Sequence, residues 1–275
     1  MLNDWFYSHS TNLVTFAVCA TIVVIALAGL FVFHRLVHWE AREKDTTMVG
    51  LSYALAGGIY AIVVSFVAVG VYSTMDKAAV IASTEANSLS SLMFDSAGLP
   101  DALAVQVRSD VDSYVDIVTK KEWPSQQAYH MQETVFEDGW ARLRHISHDL
   151  SAYEPATAGQ ATVKQEMVHN INELFSARRA RILAANQHLP DAVWQMMAFG
   201  LLLVVFYLYL FGPHNFPIHM AVTGLTMVSF GLVFSLIIAL DYPFRGDLSV
   251  DDEAYLSVRT LAAEAFAPAG AHEEK

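Results

Sequence analysis

The sequence predicts an all-α polytopic membrane protein with four transmembrane helices and a helical middle domain of about four helices. Three observations carry this. Apolar residues make up 54% of the chain and charged residues only 16%, against roughly 25% charged in an ordinary soluble domain. Charge is also unevenly placed, because Asp, Glu, Lys and Arg are all missing from residues 5 to 34, 46 to 75 and 192 to 240. Residues 73 to 190, by contrast, hold 15 acids and 10 bases, a composition that stays in water. The expected division is 1–72 for the first two spans, 73–190 for a soluble helical domain, 191–242 for the last two spans, and 243–275 for an amphipathic C-terminal helix and tail.

A bilayer core of about 30 Å takes about 20 apolar helical residues, and four windows qualify. The first, Asn12 to Phe33, has no Lys or Arg before it and outruns the roughly 7–15 apolar residues of a secretory signal, so it reads as a membrane helix. The second, Val49 to Tyr72, continues as helix over Ser73 to Phe94, with Val80, Ile81, Thr84, Leu89 and Leu92 marking its course. After Leu99-Pro100-Asp101, the positions Leu103, Val107, Val111, Tyr114 and Val118 step by helical intervals and draw one apolar stripe. That helix is expected to stop at Trp123-Pro124, since proline lacks a donor and disfavours helical geometry in the residue before it. Two more helices are expected over roughly 126–150 and 161–188, on the stripes Phe136, Leu143, Ile146, Leu150 and Val163, Met167, Ile171, Leu174, Ile182, with Ser151 to Gly159 as the loop between them.

Four helices return the chain to the membrane. Pro190 and Trp194 mark re-entry, because an indole prefers the headgroup level. The third and fourth spans, Ala192 to Phe211 and Ile218 to Leu240, are joined only by Gly212-Pro-His-Asn-Phe-Pro217 and must form an antiparallel hairpin. Beyond them Pro243 ends the fourth span, Arg245 is expected at headgroup depth, and Gly246 permits the turn. Ser249, with Asp252 three residues on, is expected to cap the last helix in a capping box.

Composition also excludes functions. The single cysteine, Cys19, lies in the first span, so no intramolecular disulfide exists. A net charge of −12, with no basic run beyond Arg178, Arg179 and Arg181, argues against nucleic acid as a partner. The expected partners are the lipid bilayer, further copies of the chain, and a membrane protein. No nucleophile elbow is present and no strand precedes a glycine-rich loop, so neither an enzyme nor a cofactor is expected. Spans without Asp, Glu, Lys or Arg weigh against a proton-coupled transporter.

Several groups admit two readings. Glu166-Met-Val-His169 and His145-Ile-Ser-His148 put ligand-type side chains on helix faces, but a di-iron bundle needs two Glu-x-x-His elements and only one exists; these read as solvated faces, and no metal is expected. His34 and His38 could bind a metal or sense pH, though they read more simply as interfacial anchors. The arginine triplet could grip anions, or pair with nearby acids, which is the expectation. Ala54 with Gly58, and Gly231 with Ser235, allow close helix approach within one subunit or between subunits. In the second span Gly58, Ile62, Phe66 and Gly70 recur every four residues, with Ser65 and Val69 beside them. Such a stripe can face lipid or pack in a core; around an oligomer axis, Ile62 and Phe66 would form a constriction that gates by dewetting.

The order of two spans, Glu85-Ala-Asn-Ser-Leu-Ser-Ser-Leu92, Leu99-Pro100, Tyr114, Glu122-Trp123-Pro124, Arg178-Arg179-Ala-Arg181, Leu189-Pro190, Trp194 and Pro243-Phe244-Arg245-Gly246 resembles the bestrophin-like family of membrane proteins over nearly the whole chain. The resemblance implies a layout similar to that of bestrophins, pentameric anion channels with two spans, a helical soluble region and two more spans. It does not carry over calcium ligands: Asp247, Asp251, Asp252 and Glu253 form an acidic cluster without the family motif. The expectation is a homo-oligomeric, bestrophin-like ion channel lined by the second span. The alternative is a non-catalytic assembly or sensing subunit that binds another protein through its middle domain. Arg35, Arg42 and Lys44 follow the first span and no Lys or Arg precedes it. In a bacterial inner membrane this puts the amino terminus and the middle domain outside, whereas the bestrophin layout implies a cytosolic middle domain.

Overall fold

A computed structural model describes residues 2–37, 46–211 and 215–266. All regular structure among them is helical: α1 (Leu2–Ser8), α2 (Thr11–Leu36), α3 (Thr46–Asp95), a 3-10 turn (Ser96–Gly98), α4 (Asp101–Ile117), a π-helical turn (Val118–Glu122), α5 (Trp123–Gln127), α6 (Glu133–Ala152), α7 (Ala158–Ala184), α8 (Asp191–Leu210), α9 (Phe216–Leu240) and α10 (Glu253–Ala265). Helices α2, α3, α8 and α9 are long and apolar enough to cross a membrane. The protein is an all-α membrane protein with four spans. His38, Arg42, Lys44 and the Gly212 to His214 part of the hairpin connection lie outside the described residues.

The chain divides into two compact units: residues 1–75, 188–242 and 246–248 form one, and residues 76–187, 243–245 and 249–275 the other. In the first, membrane-spanning unit, glycines let backbones meet. A Cβ on Gly231 of α9 would fall 2.9 Å from the Cys19 Cα of α2, and one on Gly200 of α8 would enter the Tyr60 ring of α3. Polar groups within the spans are used for closure. The Tyr60 hydroxyl donates to the Met197 carbonyl at 2.6 Å, the Tyr209 hydroxyl to the Ala26 carbonyl at 2.6 Å, and His219 Nε2 to the Leu208 carbonyl at 2.9 Å. The last bond serves a carbonyl at the α8 end that has no intrahelical partner. Past α9, the Leu189 N–H donates to Asp241 Oδ1 at 2.6 Å and the Thr11 N–H to Asp247 Oδ2 at 2.8 Å. Gly246 sits at φ +84°, in the left-handed region that glycine enters at no steric cost.

The second unit is built on the stripes read from the sequence, and Val107, Val111, Tyr114, Val118, Leu143, Ile146, Leu150, Met167, Ile171 and Leu174 are all buried. Its boundaries need three corrections. First, the helix begun by α4 does not stop at Trp123-Pro124. It widens into the π-helical turn and runs on as α5, with Pro124 in the first turn of that helix, where a missing N–H costs nothing. The true stop comes after Gln127: His130 N donates to the Ser125 carbonyl at 2.8 Å and Tyr129 N to that of Gln126 at 3.0 Å, with Tyr129 at φ 57°. This is a Schellman closure without its usual glycine, and it delays α6 to Glu133.

Second, Ser249 does not cap α10. Asp252 occupies that position, because the chain at Val250 is turned back by a bond from its N–H to the Pro243 carbonyl at 2.8 Å. Third, Arg245 is not an exposed headgroup anchor. It is buried, with its guanidinium 5.5 Å from the Tyr129 ring centroid, a stacking that a planar, weakly hydrated cation favours.

Candidate functional site

Helix α3 carries the pore candidates, and its helical period sorts them cleanly. Tyr60, Val64 and Val71 are buried in the first unit. On the opposite side Ile62, Phe66 and Val69 are 58%, 74% and 66% exposed, and a Cβ on Gly58 or Gly70 would meet nothing within 4 Å. Ser65 shares this exposed side, its hydroxyl folded back on the Ala61 carbonyl at 2.8 Å. Gly58, Ile62, Ser65, Phe66 and Val69 are therefore not core residues of one subunit. Of the two small-residue pairs, Gly231 and Ser235 pack inside the unit, while Ala54 and Gly58 are exposed. Trp194 is half-buried against the apolar core of the first unit, and Pro243 is buried like Arg245.

The second unit holds a cluster of charge with no exposed surface. Arg178 forks onto Glu122, with Nη2 at 2.7 Å from Oε1 and Nη1 at 2.9 Å from Oε2, and also donates to the Tyr114 hydroxyl at 2.9 Å and the Phe136 carbonyl at 2.8 Å. Arg181 bridges both acids: Nε lies 2.8 Å from Glu85 Oε2 and Nη2 2.8 Å from Glu122 Oε2, while Nη1 donates to Gln126 Oε1 at 2.8 Å. The Tyr114 hydroxyl closes the ring by donating to Glu85 Oε1 at 2.5 Å. Both Arg and both Glu side chains are fully buried.

Two guanidinium groups against two carboxylates leave no net charge, which is the condition for burying ions at all. Burial, followed by the negative field of Glu85, pushes the Tyr114 and Tyr255 hydroxyls well up. For Arg181 burial acts downward, but Glu85 and the other groups around it outweigh it and hold the guanidinium well above its ordinary value. Each member thus keeps one protonation state near neutral pH. Gly139 makes room for the cluster, since a Cβ there would fall within 3.0 Å of both Arg178 and Glu122.

The expected pairing of the arginine triplet with acids describes Arg178 and Arg181. Arg179 is exposed and bonds only weakly, at 3.4 Å, to the Phe175 carbonyl. Sequence reasoning passed over Glu85, Glu122 and Gln126, although a signal existed. Glu85 lies four residues from both Ile81 and Leu89, and Glu122 four from Val118, so each acid interrupts an apolar stripe.

The other ligand-type groups are arranged differently from their sequence spacing. Glu166 and His169 do not assemble; His169 faces Glu173 at 3.5 Å on an exposed surface. His145 is directed not to His148 but across to α4, with Nδ1 2.8 Å from Asp110 Oδ2. His34 stacks on Phe216, ring centroids 4.1 Å apart.

No curated protein and no solved structure matches the chain. The sequence model of the bestrophin-like domain does match it, over residues 20–255. That range opens inside α2 and closes in α10, taking in the exposed face of α3 and every member of the buried charge cluster, so this membrane protein belongs to the bestrophin-like domain family.

Proposed function

We propose that the protein is a homo-oligomeric ion channel in which the exposed face of α3 lines the pore. One observation carries the reading. The side of α3 turned away from its own subunit mixes bulky apolar residues with Gly58, Ser65 and Gly70. Lipid offers nothing to a bare glycine or a hydroxyl, whereas small residues suit helix packing and a pore wall. Ile62 and Phe66 supply apolar rings that exclude water when closed, and no catalytic role is assigned. We place the protein in a bacterial inner membrane with its middle unit extracytoplasmic. The rival reading, a non-catalytic assembly or sensing subunit, draws on the apolar side chains of Val80, Val105 and Leu183 exposed on the second unit.

Particle mass in detergent and ion flux from proteoliposomes separate the two. A ring of identical subunits is expected, and Phe66→Ala or Ile62→Ser should raise flux with the oligomer intact. A monomer, or an oligomer that conducts neither as wild type nor as Phe66→Ala, would remove the channel and leave the assembly subunit.

A further inference from the structure

On the second unit, helices α4 and α6 bring together three side chains that the sequence scatters. Asp110 comes from α4, and His145 and Asp149 stand one turn apart on α6. One ligand atom from each lies within 4.8 Å of the other two. His145 Nδ1 is 2.8 Å from Asp110 Oδ2 and 3.6 Å from Asp149 Oδ2. We propose that Asp110, His145 and Asp149 bind a divalent transition-metal ion of the zinc type.

The donor set fits that class. One imidazole nitrogen and two carboxylate oxygens are ligands zinc accepts at about 2.0–2.2 Å, with a fourth position left for water. Calcium and magnesium want oxygen alone. Separations of about 3–3.6 Å between ligand atoms are what such bond lengths impose in a tetrahedral arrangement; the 3.6 Å pair already fits, and the 2.8 Å pair must open by a few tenths of an ångström. His145 is half-exposed and free to make that adjustment, whereas Asp110 is nearly buried.

The carboxylates are held from behind, as metal ligands are. Arg142 Nη1 takes Asp110 Oδ1 at 2.7 Å and leaves Oδ2 to the site. The Gln106 amide donates to Asp149 Oδ2 at 2.9 Å. Two carboxylates and one guanidinium leave one negative charge at the site, which a divalent ion turns to one positive. A cleft of about 560 Å³ bordered by Arg142 and His145 opens beside the imidazole and gives water a route to the fourth position. On binding, the ion replaces any proton on His145 Nδ1, and that proton passes to buffer. The site does not depend on whether the spans conduct.

The test uses full-length, tag-free protein in detergent, titrated with Zn2+ by calorimetry and with Co2+ by its visible absorption. One ion per chain is expected, with the absorption of a four-coordinate cobalt centre. His145→Ala and Asp149→Asn should each weaken binding at least about tenfold, and Gln106→Ala by about tenfold through its hold on Asp149. His148→Ala and His169→Ala should bind as wild type. Asp110 is left intact because it also anchors Arg142. If a His145 variant loses the wild-type melting transition, Asp149→Asn and Gln106→Ala decide. Wild-type affinity weaker than about 1 mM, or affinity unchanged in Asp149→Asn, would overturn the site and leave an Asp110–His145 ion pair.

Discussion

At Gly139 a single hydrogen is the difference between a closed charge cluster and a disrupted one. Gly139→Ala drives a methyl group into Arg178 and Glu122; overpacking alone costs about 1–3 kcal/mol, and displacing buried ions adds to it. The expected result is a marked fall in melting temperature of the purified protein, with Gly159→Ala, at a site with only one distant neighbour, as the neutral control. Asp241 makes a different prediction. Burial raises its carboxyl above the ordinary 3.8, against the opposing pull of the Leu189 N–H, His188 and Trp194. The folded state therefore holds that proton more tightly than the unfolded chain, so stability is greatest below the ordinary value and declines as pH rises through the raised one. Asp241→Asn keeps an oxygen for the Leu189 N–H but cannot ionise. Between about pH 4 and pH 7 the wild-type melting temperature should fall relative to that of the variant; parallel curves would show that Asp241 makes no such contribution.

At the scale of the element, the π-helical turn decides where Glu122 points. A π turn holds one residue more than an α turn and is common at functional positions, so removing one residue should restore α geometry. Deleting Thr119, exposed side chain and all, rotates everything after it by about 100° relative to α4. Glu122 and Gln126 then leave Arg178 and Arg181, and breaking a buried pair costs about 3–5 kcal/mol. The deletion should therefore abolish the cooperative melting of the protein, whereas Thr119→Ala should leave it nearly unchanged. This turn also marks what the sequence could tell. The spans and the stripes of α4, α6 and α7 were legible because burial imposes its period on apolar residues. The passage through Trp123-Pro124 was not, because proline at a helix start and proline after a helix end look alike without the backbone. Charges on a stripe read as interruptions, and only the fold shows that Glu85, Glu122, Arg178 and Arg181 cancel one another. His145-Ile-Ser-His148 was visible as a pair, yet the contacts that matter reach Asp149 one turn on and Asp110 on another helix, which spacing along one helix does not reveal.

For the whole molecule, orientation in the bilayer is the open quantity with the sharpest test. The three cations after the first span favour an extracytoplasmic middle unit under the positive-inside rule, against the cytosolic placement that a bestrophin layout implies. Gly159 is exposed at the start of α7. A cysteine placed there in a Cys19→Ser background should react with an impermeant thiol reagent on intact cells; reaction only after lysis would turn the molecule over.

The buried arginines also set an order of events during synthesis. Arg181 meets Glu85 across 96 residues of sequence and Arg178 meets Glu122 across 56. A ribosome that has delivered α3 and α4 has therefore released two acids meant for a dry interior, with their counterions still unmade. Until α7 emerges, those helices must keep Glu85 and Glu122 in water and their apolar stripes only loosely gathered. Chains interrupted before residue 178 cannot bury what they have made, and in such fragments the surface meant for the core remains open to chaperones and proteases. Completion of α7 thus acts as the point at which the soluble unit commits to its fold.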